Sequence, residues 1–406
     1  MTPDELEELM KDEPREFIRE HMGDDPDRLA LKFGGNASLP IRAIAEEIRC
    51  IKKARVKLPR LSEHALIYEK TALEQASSEL TAGFKASLFS GRRIIDLTGG
   101  LGIDDIFFSR SFKEVLYCEQ NPLLTKIFEH NIHLLGISNI KVNYGSSIEI
   151  LQTFPENYFD LIYADPARRD LNRRFIGLKS CSPDVVELMP KMLEKSEKVL
   201  IKASPAIEFE EVKREFSSNL KEFIVVSVDN ECREVLLLLE RNAGGDKGII
   251  IRSVLIDSDT GRQRVFSGDS KTASEKRISP GVLKYFYEPD SAVIKARLST
   301  KIAEEFSLFF LNRSVDYLTS EESISNFPGR TFEVINVLPY RTKEIKFYLS
   351  SKGITSANIS RRDFPDPPEK IRKLLGLKDG GAEYLFFTKD SSGRPIVILC
   401  RKHKTN

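Results

Sequence analysis

A glycine-rich turn between a strand pattern and a helix pattern constrains this chain more than any other segment. Residues 94–97 read Ile-Ile-Asp-Leu, which predicts a buried strand, and Gly99, Gly100 and Gly102 follow. Residues 103–108 then predict a helix. Strand, glycine turn and helix in this order form the first unit of a nucleotide-binding α/β sheet, whose ligand lies beyond the carboxyl ends of the strands. Glycine suits such a turn because the backbone bends sharply and approaches the ligand without a Cβ atom.

The spacing of glycines and acids separates two cofactor classes. A dinucleotide fold requires Gly-x-Gly-x-x-Gly, and counting from Gly100 the third glycine position falls on Asp105. A carboxylate there would repel a pyrophosphate. Asp96 at the end of the strand and Asp104 at the start of the helix suit a cationic ligand with an amino group, which describes S-adenosylmethionine. We therefore expect S-adenosylmethionine, and a dinucleotide stays the alternative.

The following segments continue the alternation of strands and helices. Residues 115–119 predict a second strand that ends in Glu119, about 20 residues after the first glycine, where an acid accepts both ribose hydroxyls. Gln120 stands beside this acid. Residues 122–135 predict a helix that begins at a proline, a residue favoured in the first helical turn.

Two more strands complete the pattern around the expected ligand. Residues 140–144 predict a third strand, and the hydroxyl of Ser146 just beyond it is placed to reach an adenine edge. Residues 160–165 predict a fourth strand, which ends in Asp165 and Pro166. The acids and glycines therefore converge on the carboxyl edge of one sheet.

The motifs Asp96-x-Thr-Gly-Gly-x-Gly102, Glu119 and Asp165-Pro166, in this order and spacing, resemble a class I S-adenosylmethionine-dependent methyltransferase. Residues 94–240 carry the resemblance. It implies an α/β fold with a seven-stranded, Rossmann-like sheet that a final antiparallel pair closes. The cofactor-binding residues that it implies are Asp96, Thr98, Gly99, Gly100, Gly102, Asp104, Glu119, Gln120, Ser146 and Asp165.

The Asp165 motif departs from the pattern of methyltransferases that act on amino groups of bases. There the strand ends in Asp/Asn-Pro-Pro-aromatic, and the acid and a proline carbonyl accept hydrogen bonds from the amino group. Here Ala167 and Arg168 replace the second proline and the aromatic residue. A guanidinium stacks on a base or binds a phosphate, although a cluster of internally paired arginines stays the alternative. The predicted catalytic residues are Asp165, Pro166 and Arg168, and the predicted substrate contacts are Arg168, Arg169 and Lys202.

The last part of the chain predicts a separate α+β module. It resembles the THUMP-like domain attached to a group of bacterial methyltransferases, through residues 287–290, 327–330 and 378–381. THUMP modules bind RNA, so the resemblance implies methylation of a tRNA or rRNA base in the cytoplasm. A catalytically altered protein that binds cofactor and RNA is one alternative, and a dinucleotide-dependent oxidoreductase is the weaker one.

Length and composition limit the domain organisation, the partners and the cellular compartment that we expect. The 406 residues divide into a helical region 1–85, a methyltransferase domain 86–242, a connector 243–280 and the THUMP-like domain 281–406. Net charge is +1, so only local patches inform on partners. The five cysteines are scattered, which favours a reducing compartment and argues against a zinc site. We expect no signal peptide, membrane segment or metal, and the oligomeric state stays open.

Two segments before the glycine strand have competing interpretations. Residues 49–60 contain six basic residues, which form either a phosphate-contacting arm or a solvated helix face. Residues 74–82 predict one helix leading into the strand, and its polar residues suit either the methionine end of the cofactor or a tight helix contact.

Overall fold

The computed structural model describes residues 1–35, 38–168, 178, 181–216, 218–243, 248–271 and 275–403. The chain forms two compact units, one of residues 1–221 with 236–245 and the other of residues 222–235 with 246–406. The four segments predicted from the sequence stay a prediction.

Helices and strands alternate along most of the described chain. The α-helices are α1 Pro3–Leu9, α2 Asp12–Glu20, α3 Pro26–Phe33, α4 Ile41–Lys57, α5 Lys70–Gln75, α6 Glu79–Leu88, α7 Ile103–Phe108, α8 Pro122–Leu134, α9 Ser147–Gln152, α10 Val185–Lys195, α11 Phe209–Phe216, α12 Ser291–Lys295, α13 Ser299–Glu305, α14 Thr342–Ser351 and α15 Pro368–Leu375. A 3₁₀ turn lies at Leu61–Glu63. The strands are β1 Gly91–Asp96, β2 Phe112–Glu119, β3 Ile140–Tyr144, β4 Leu161–Ala164, β5 Ala167–Arg168, β6 Cys181–Ser182, β7 Lys198–Ala203, β8 Leu220–Val228, β9 Glu231–Glu240, β10 Ile250–Ile256, β11 Gln263–Asp269, β12 Tyr285–Pro289, β13 Phe309–Phe310, β14 Leu318–Ser320, β15 Gly329–Pro339, β16 Asn358–Arg361, β17 Glu383–Lys389 and β18 Pro395–Lys402.

Five parallel strands of the first unit bring the predicted acids together. Their order is β3, β2, β1, β4 and β7. Asp96, the last residue of β1, lies in register with Tyr117 of β2 and Tyr163 of β4. Because parallel strands all end at the same edge of a sheet, Asp96, Glu119 and Asp165 meet along that edge.

The mixed sheet has nine described strands, in the order β11-β10-β8-β9-β7-β4-β1-β2-β3. Within this order, strands β8 and β9 are neighbours and form the predicted closing pair of the seven strands β1–β4 and β7–β9. Their turn residues Asp229 and Asn230 both have positive φ, as type I′ hairpins require. The predicted strand count of seven is wrong because β10 pairs in parallel with β8, and β11 pairs antiparallel with β10. The two added strands cover a backbone edge that β8 would otherwise expose.

The second unit contains a separate sheet of seven strands in the order β13-β14-β12-β15-β18-β17-β16. Helices α14 and α15 contribute the buried residues Ile345 and Ile371 to a core with Phe387. Phe286 and Phe386 belong to a second cluster of buried residues in the same sheet. Helix and strand patterns therefore produce the α+β module that the sequence predicts.

The amino-terminal helices pack around α4, whose buried Ile41, Ile44 and Ile48 recur at helical spacing. Glu47 points to the same buried side and is 2% exposed. Its carboxyl oxygens accept hydrogen bonds from the backbone N–H of Tyr68 at 3.2 and 3.4 Å. Burial outweighs these bonds and raises the pKa of Glu47 to about 8. The side chain is therefore largely protonated at neutral pH.

None of the helices within the described residues combines the length and the hydropathy that crossing a bilayer requires.

Replacing Glu47 by glutamine tests this protonation. The pKa of Glu47 is about 8 when folded against a usual value of 4.5, so the folded protein binds this proton more tightly than the unfolded chain. The unfolding free energy then falls as pH rises through that window, by up to about 1.4 kcal/mol per pH unit. We expect Glu47→Gln to remove this contribution, so thermal melts at pH 5 and pH 8 should show a stability gain over wild type that grows with pH.

The matched control is Glu46→Gln on the same helix. Although burial opposes it, hydrogen bonds and charges from Arg49 and Lys70 lower the pKa of Glu46, so its titration lies below the tested window. An equal pH dependence in both variants would contradict a protonated Glu47.

Candidate cofactor and substrate site

A threonine hydroxyl joins the ends of the two central strands. The Oγ1 of Thr98 donates to Asp96 Oδ1 at 2.9 Å and accepts from the backbone N–H of Asp165 at 2.6 Å. The backbone N–H of Thr98 also donates to Asp96 Oδ1, at 2.7 Å. Thr98 therefore fixes the positions of Asp96 and Asp165 relative to each other.

The three glycines of the turn have different roles. Gly100 and Gly102 have φ values of +57° and +69°, a region that side-chain-bearing residues rarely adopt. A Cβ atom on Gly99 would overlap the ring of Tyr117, and one on Gly102 would overlap the ring of Phe128. These two rings stack on each other with centroids 4.1 Å apart. A Cβ atom on Gly100 would instead make only an ordinary van der Waals contact, with the carbonyl oxygen of Thr98 at 3.7 Å.

Glu119 ties the end of β2 to the glycine turn. Its Oε2 accepts from the backbone N–H of Gly100 at 2.9 Å, and its Oε1 accepts from the backbone N–H of Asn121 at 2.7 Å. The hydroxyl of Tyr117 donates to the carbonyl of Gly100 at 2.7 Å, which holds the same turn from the other side. The carboxylate of Glu119 is half-buried beside Gly100, where a Cβ atom would meet no aromatic ring.

Asp104 lies in a buried network of charged and polar groups. Its Oδ2 accepts from the hydroxyls of Tyr163 at 2.8 Å and Ser77 at 2.9 Å, and its Oδ1 lies 3.2 Å from Nζ of the fully buried Lys85. Burial alone would raise the pKa of Asp104, but the charges of Lys85 and Lys202 and the two hydroxyls together lower it. The Asp104 carboxylate is therefore ionised and has internal partners, while its assignment to the cofactor stays a prediction.

A second buried acid faces Asp96. Burial raises the pKa of Asp96 to about 7, and burial together with the charge of Asp96 raises the pKa of Asp105 well above its usual range. Asp105 is therefore protonated at neutral pH, which avoids a second negative charge beside Asp96. Because Asp105 is fully buried, the repulsion of a pyrophosphate that the sequence predicted from it does not operate. Asp105 therefore does not distinguish a dinucleotide from S-adenosylmethionine as the ligand.

The Asp165 side chain reaches the substrate edge of the sheet. Its Oδ2 accepts from Lys202 Nζ at 2.5 Å, and the side chains of Asp165 and Lys202 are 35% and 13% exposed. Oδ1 has no hydrogen-bond partner in the part of the chain that the structure describes. Pro166 follows, and then β5 pairs antiparallel with β6, with Arg168 opposite Cys181. The side chain of Arg168 and all of Arg169 lie outside the described residues.

Gln120 and Ser146, the remaining predicted cofactor residues, lie just beyond the ends of strands β2 and β3. Gln120 is exposed just beyond β2. Ser146 caps α9 by accepting from the backbone N–H of Glu149 at 3.4 Å. The described residues contain no group of three or more His, Cys, Asp or Glu that could hold a metal ion. Burial raises the pKa of Cys232 to about 11, which argues against a nucleophilic thiolate there.

The sequence interpretation missed the partners of Asp104. The continuous helix predicted over residues 74–82 is wrong, because α5 ends at Gln75 and Ser78 caps a new helix, α6. The break leaves Ser77 outside both helices, within hydrogen-bond distance of Asp104. The position of Lys85 among apolar residues of α6 could have identified it as a partner of an acid, because a lysine that is buried requires one.

Known proteins resemble the whole chain. Over 377 residues it is 24% identical to an uncharacterised S-adenosylmethionine-dependent methyltransferase of Mycobacterium tuberculosis strains CDC 1551 and H37Rv, which spans 92% of this chain and 99% of that protein. The crystal structure of a candidate methyltransferase from Porphyromonas gingivalis W83 matches 100% of both chains, with a TM-score of 0.84 and 29% identity. The chain is a homologue of S-adenosylmethionine-dependent methyltransferases. Residues 329–402 match the family described as THUMP domain-like, so this methyltransferase homologue carries a THUMP-like domain at its carboxyl end.

The residues of the methyltransferase homologue fit S-adenosylmethionine, the cofactor that the comparisons support. A Cβ atom on Gly100 would overlap no neighbouring side chain, so the backbone there is not closed off by an aromatic ring as it is at Gly99 and Gly102. Glu119 lies beside Gly100 with carboxylate oxygens suited to ribose hydroxyls. Asp96 and Asp165 supply carboxyl groups at the same edge, which suits a ligand that carries positive charge. We expect Gly100, Glu119, Asp96 and Thr98 to hold the cofactor.

Replacing Thr98 tests the link between Asp96 and Asp165. Thr98→Val keeps the side-chain shape and the backbone N–H but removes the hydroxyl, which leaves the Asp165 N–H without its acceptor. An unpaired buried group costs about 1–3 kcal/mol, so we expect the affinity for S-adenosylhomocysteine, measured by calorimetry, to fall by about tenfold. Thr98→Ser is the control, because it keeps the hydroxyl and should keep the affinity. Equal losses in both variants would show that the hydroxyl is not the important group.

Replacing Gly102 tests the packing of the turn. Gly102→Ala introduces a Cβ at a φ of +69° and against the ring of Phe128, whereas Gly136→Ala introduces one at a φ of +66° with nothing within 4 Å. Backbone strain costs about 1–2 kcal/mol in both, and overpacking adds about 1–3 kcal/mol to the first alone. Urea unfolding should therefore show the larger loss of stability for Gly102→Ala. The same loss in both variants would contradict the role of the Tyr117–Phe128 stack.

Proposed function

We propose that this protein transfers a methyl group from S-adenosylmethionine to a base of RNA, with an amino nitrogen as the target. The observation that carries the proposal is the Thr98 hydroxyl, which couples the cofactor acid Asp96 to the backbone of Asp165. This coupling sets a candidate target-binding carboxylate directly beside the candidate cofactor residues.

The target side of the site is supported by the free oxygen of Asp165. Lys202 occupies Oδ2, while Oδ1 has no partner among the described residues and the side chain is 35% exposed. Oδ1 is therefore available to accept a hydrogen bond from an N–H group of a substrate. The Pro166 carbonyl, next in the chain, is the second acceptor that the Asp-Pro motif predicts.

RNA as the substrate is supported by the second unit. Its THUMP-like match covers residues 329–402, which include α14. Phe347 on α14 is 78% exposed, an unusual position for a large aromatic side chain. Lys343 and Lys346 on the same helix are exposed and make no ion pair within the described residues. An exposed ring on the same helix as two exposed cations suits stacking on a base together with contacts to phosphates.

The proposed reaction depends on positioning. When bound, S-adenosylmethionine supplies a methyl group on a sulfonium sulfur, which is electrophilic without further activation. Asp165 orients the amino nitrogen by accepting a hydrogen bond from one of its N–H groups. It takes that proton as the bond from the methyl group to sulfur breaks and the bond to nitrogen forms, and Lys202 holds the carboxylate in place through Oδ2. Thr98 fixes the distance between this carboxylate and the cofactor residues. Orientation of this kind accounts for a large part of the rate in displacement reactions.

A binding protein without catalysis is the second candidate function. The observation in its favour is the same ion pair, because Lys202 competes with a substrate N–H for the Asp165 carboxylate. The replacement of the aromatic residue by Arg168 points the same way. The two functions differ in whether labelled methyl groups reach RNA.

Replacing Asp165 tests the proposal. We expect Asp165→Ala to reduce transfer of labelled methyl groups from S-adenosylmethionine to total RNA by at least about 100-fold, the lower end for loss of a positioned proton acceptor. Calorimetry should show that the affinity for S-adenosylhomocysteine stays within a few-fold, because Asp165 contacts Thr98 through its backbone. Glu156→Gln, at an exposed acid of the same unit, is the control and should leave both quantities unchanged.

The outcomes separate the candidates. Normal transfer by Asp165→Ala would contradict the assigned role of this residue. Tight binding of S-adenosylhomocysteine by the wild type, without transfer to RNA from any source, would favour the binding protein. Transfer that survives treatment of the substrate pool with ribonuclease would exclude RNA as the acceptor.

A further inference from the structure

A cavity of about 410 Å³ lies in the first unit, among the amino-terminal helices. Helices α1 and α2 contribute to the lining, as does α4, and residues 62–68, which begin in the 3₁₀ turn, complete it as the floor. Ile18, Leu66 and Ile67 give the interior an apolar, buried surface. The volume falls in the range of sites that bind small molecules, which is about 300–1,000 Å³. The cavity shares no lining residue with the cofactor site described above.

Three arginines line the cavity and lack acidic partners. Arg15 donates to the backbone carbonyl of Ala65, and Arg19 donates to the backbone carbonyl of Arg15 at 3.4 Å. Arg55 makes no hydrogen bond, and none of the three forms an ion pair, within the described residues. Asp12 and Glu63 also line the cavity, and because Glu47 is largely protonated, three positive charges face two negative ones.

Several other basic residues of α4 have partners within the protein. Arg49 pairs with Asp27 and Glu46, Lys53 pairs with Glu74, and Lys57 donates to backbone carbonyls of residues 73 and 74. Much of the basic run therefore holds the helical region together through internal contacts, which differs from both a phosphate-contacting arm and a solvated helix face. Arg55 makes no such contact within the described residues, and it lines the cavity together with Arg15 and Arg19.

The floor of the cavity carries polar groups with unused hydrogen-bonding capacity. Glu47 is 2% exposed and lines the cavity. Because burial raises its pKa to about 8, its carboxyl group offers both a donor and an acceptor at neutral pH. Tyr68 also lines the cavity, and its buried hydroxyl has no hydrogen-bond partner within the described residues. A purely aliphatic ligand would leave these groups unpaired.

We propose that this cavity binds a nucleotide, with the base against the apolar floor beside Glu47 and the phosphate on Arg15, Arg19 and Arg55. A protonated carboxyl group matches the adjacent donor and acceptor on the edge of a nucleobase. Guanidinium groups bind phosphate oxygens in a bidentate manner. A free mononucleotide and a nucleotide within an RNA strand present the same chemistry. The proposal does not depend on methyl transfer, because no residue of the cofactor site takes part.

The test is calorimetry on the full chain with the 5′-monophosphates AMP, CMP, GMP and UMP, and with adenosine, ribose 5-phosphate and inorganic phosphate. We expect AMP to bind at least about tenfold more tightly than adenosine or ribose 5-phosphate. Of these three compounds, only AMP has both a base for the apolar floor of the cavity and a phosphate for the arginines. Failure of all four monophosphates to bind, or equal binding of ribose 5-phosphate and AMP, would overturn the proposal.

Variants locate the site. The double variant Arg19→Gln with Arg55→Gln should weaken AMP by at least about tenfold, the loss of charge-assisted hydrogen bonds, and leave adenosine unchanged. Arg42→Gln, an exposed arginine on α4 outside the cavity, is the matched control and should bind AMP like the wild type. Glu47→Gln should retain AMP, because a carboxamide also offers a donor and an acceptor. Unchanged AMP affinity in the double variant would overturn the proposal.

Two further arms separate the source of the nucleotide and the state of the protein. A 5′-phosphorylated oligoadenylate that binds more tightly than AMP identifies an RNA strand as the ligand, and the reverse order identifies a free nucleotide. S-adenosylhomocysteine is titrated into every variant, and retained affinity shows an intact fold and cofactor site. Loss of nucleotide binding then stays distinguishable from a failure of the proposed methyl transfer.

Discussion

The rest of the site depends on the two hydrogen bonds that the hydroxyl of Thr98 makes. It connects the end of β1 with the end of β4 by accepting from the Asp165 N–H and donating to Asp96. Parallel strands alone would bring these ends to one edge of the sheet, but only approximately. A side chain that is both donor and acceptor fixes them at hydrogen-bond distance. The position of the Asp165 backbone, and with it the proposed orientation of a substrate amino group, depends on these two hydrogen bonds.

Protons and positive charges inside the fold make such a concentration of acids stable. Asp96, Asp104 and Asp105 lie close together and are all buried. Lys85 compensates Asp104, while Asp105 retains a proton and so avoids a second charge beside Asp96. An isolated buried carboxylate would be strongly unfavourable. The edge therefore presents fewer charges to a ligand than its acids suggest.

The sequence predicted the elements of this site better than their partners. The strand ends that carry Asp96, Glu119 and Asp165 follow from apolar runs and turns, which are local signals. Ser77, Lys85 and Tyr163 were missed because their contacts with Asp104 join residues 19 or more positions apart. The assignment of Gly99 and Gly102 to the cofactor stays a prediction, and the structure adds a second requirement for both glycines, because each accommodates an aromatic ring. Such packing constraints arise only when distant side chains meet.

The pairing of β10 with β8 limits how the chain can be divided. A cut after residue 242 would follow the sequence prediction of a domain end, yet it would remove the strand that covers β8 along residues 222–228. The uncovered strand is apolar and buried in the intact protein, and such an edge readily pairs with other chains. The two halves therefore do not behave as interchangeable modules. A shortened chain has to retain β10 if the edge of β8 is to stay covered.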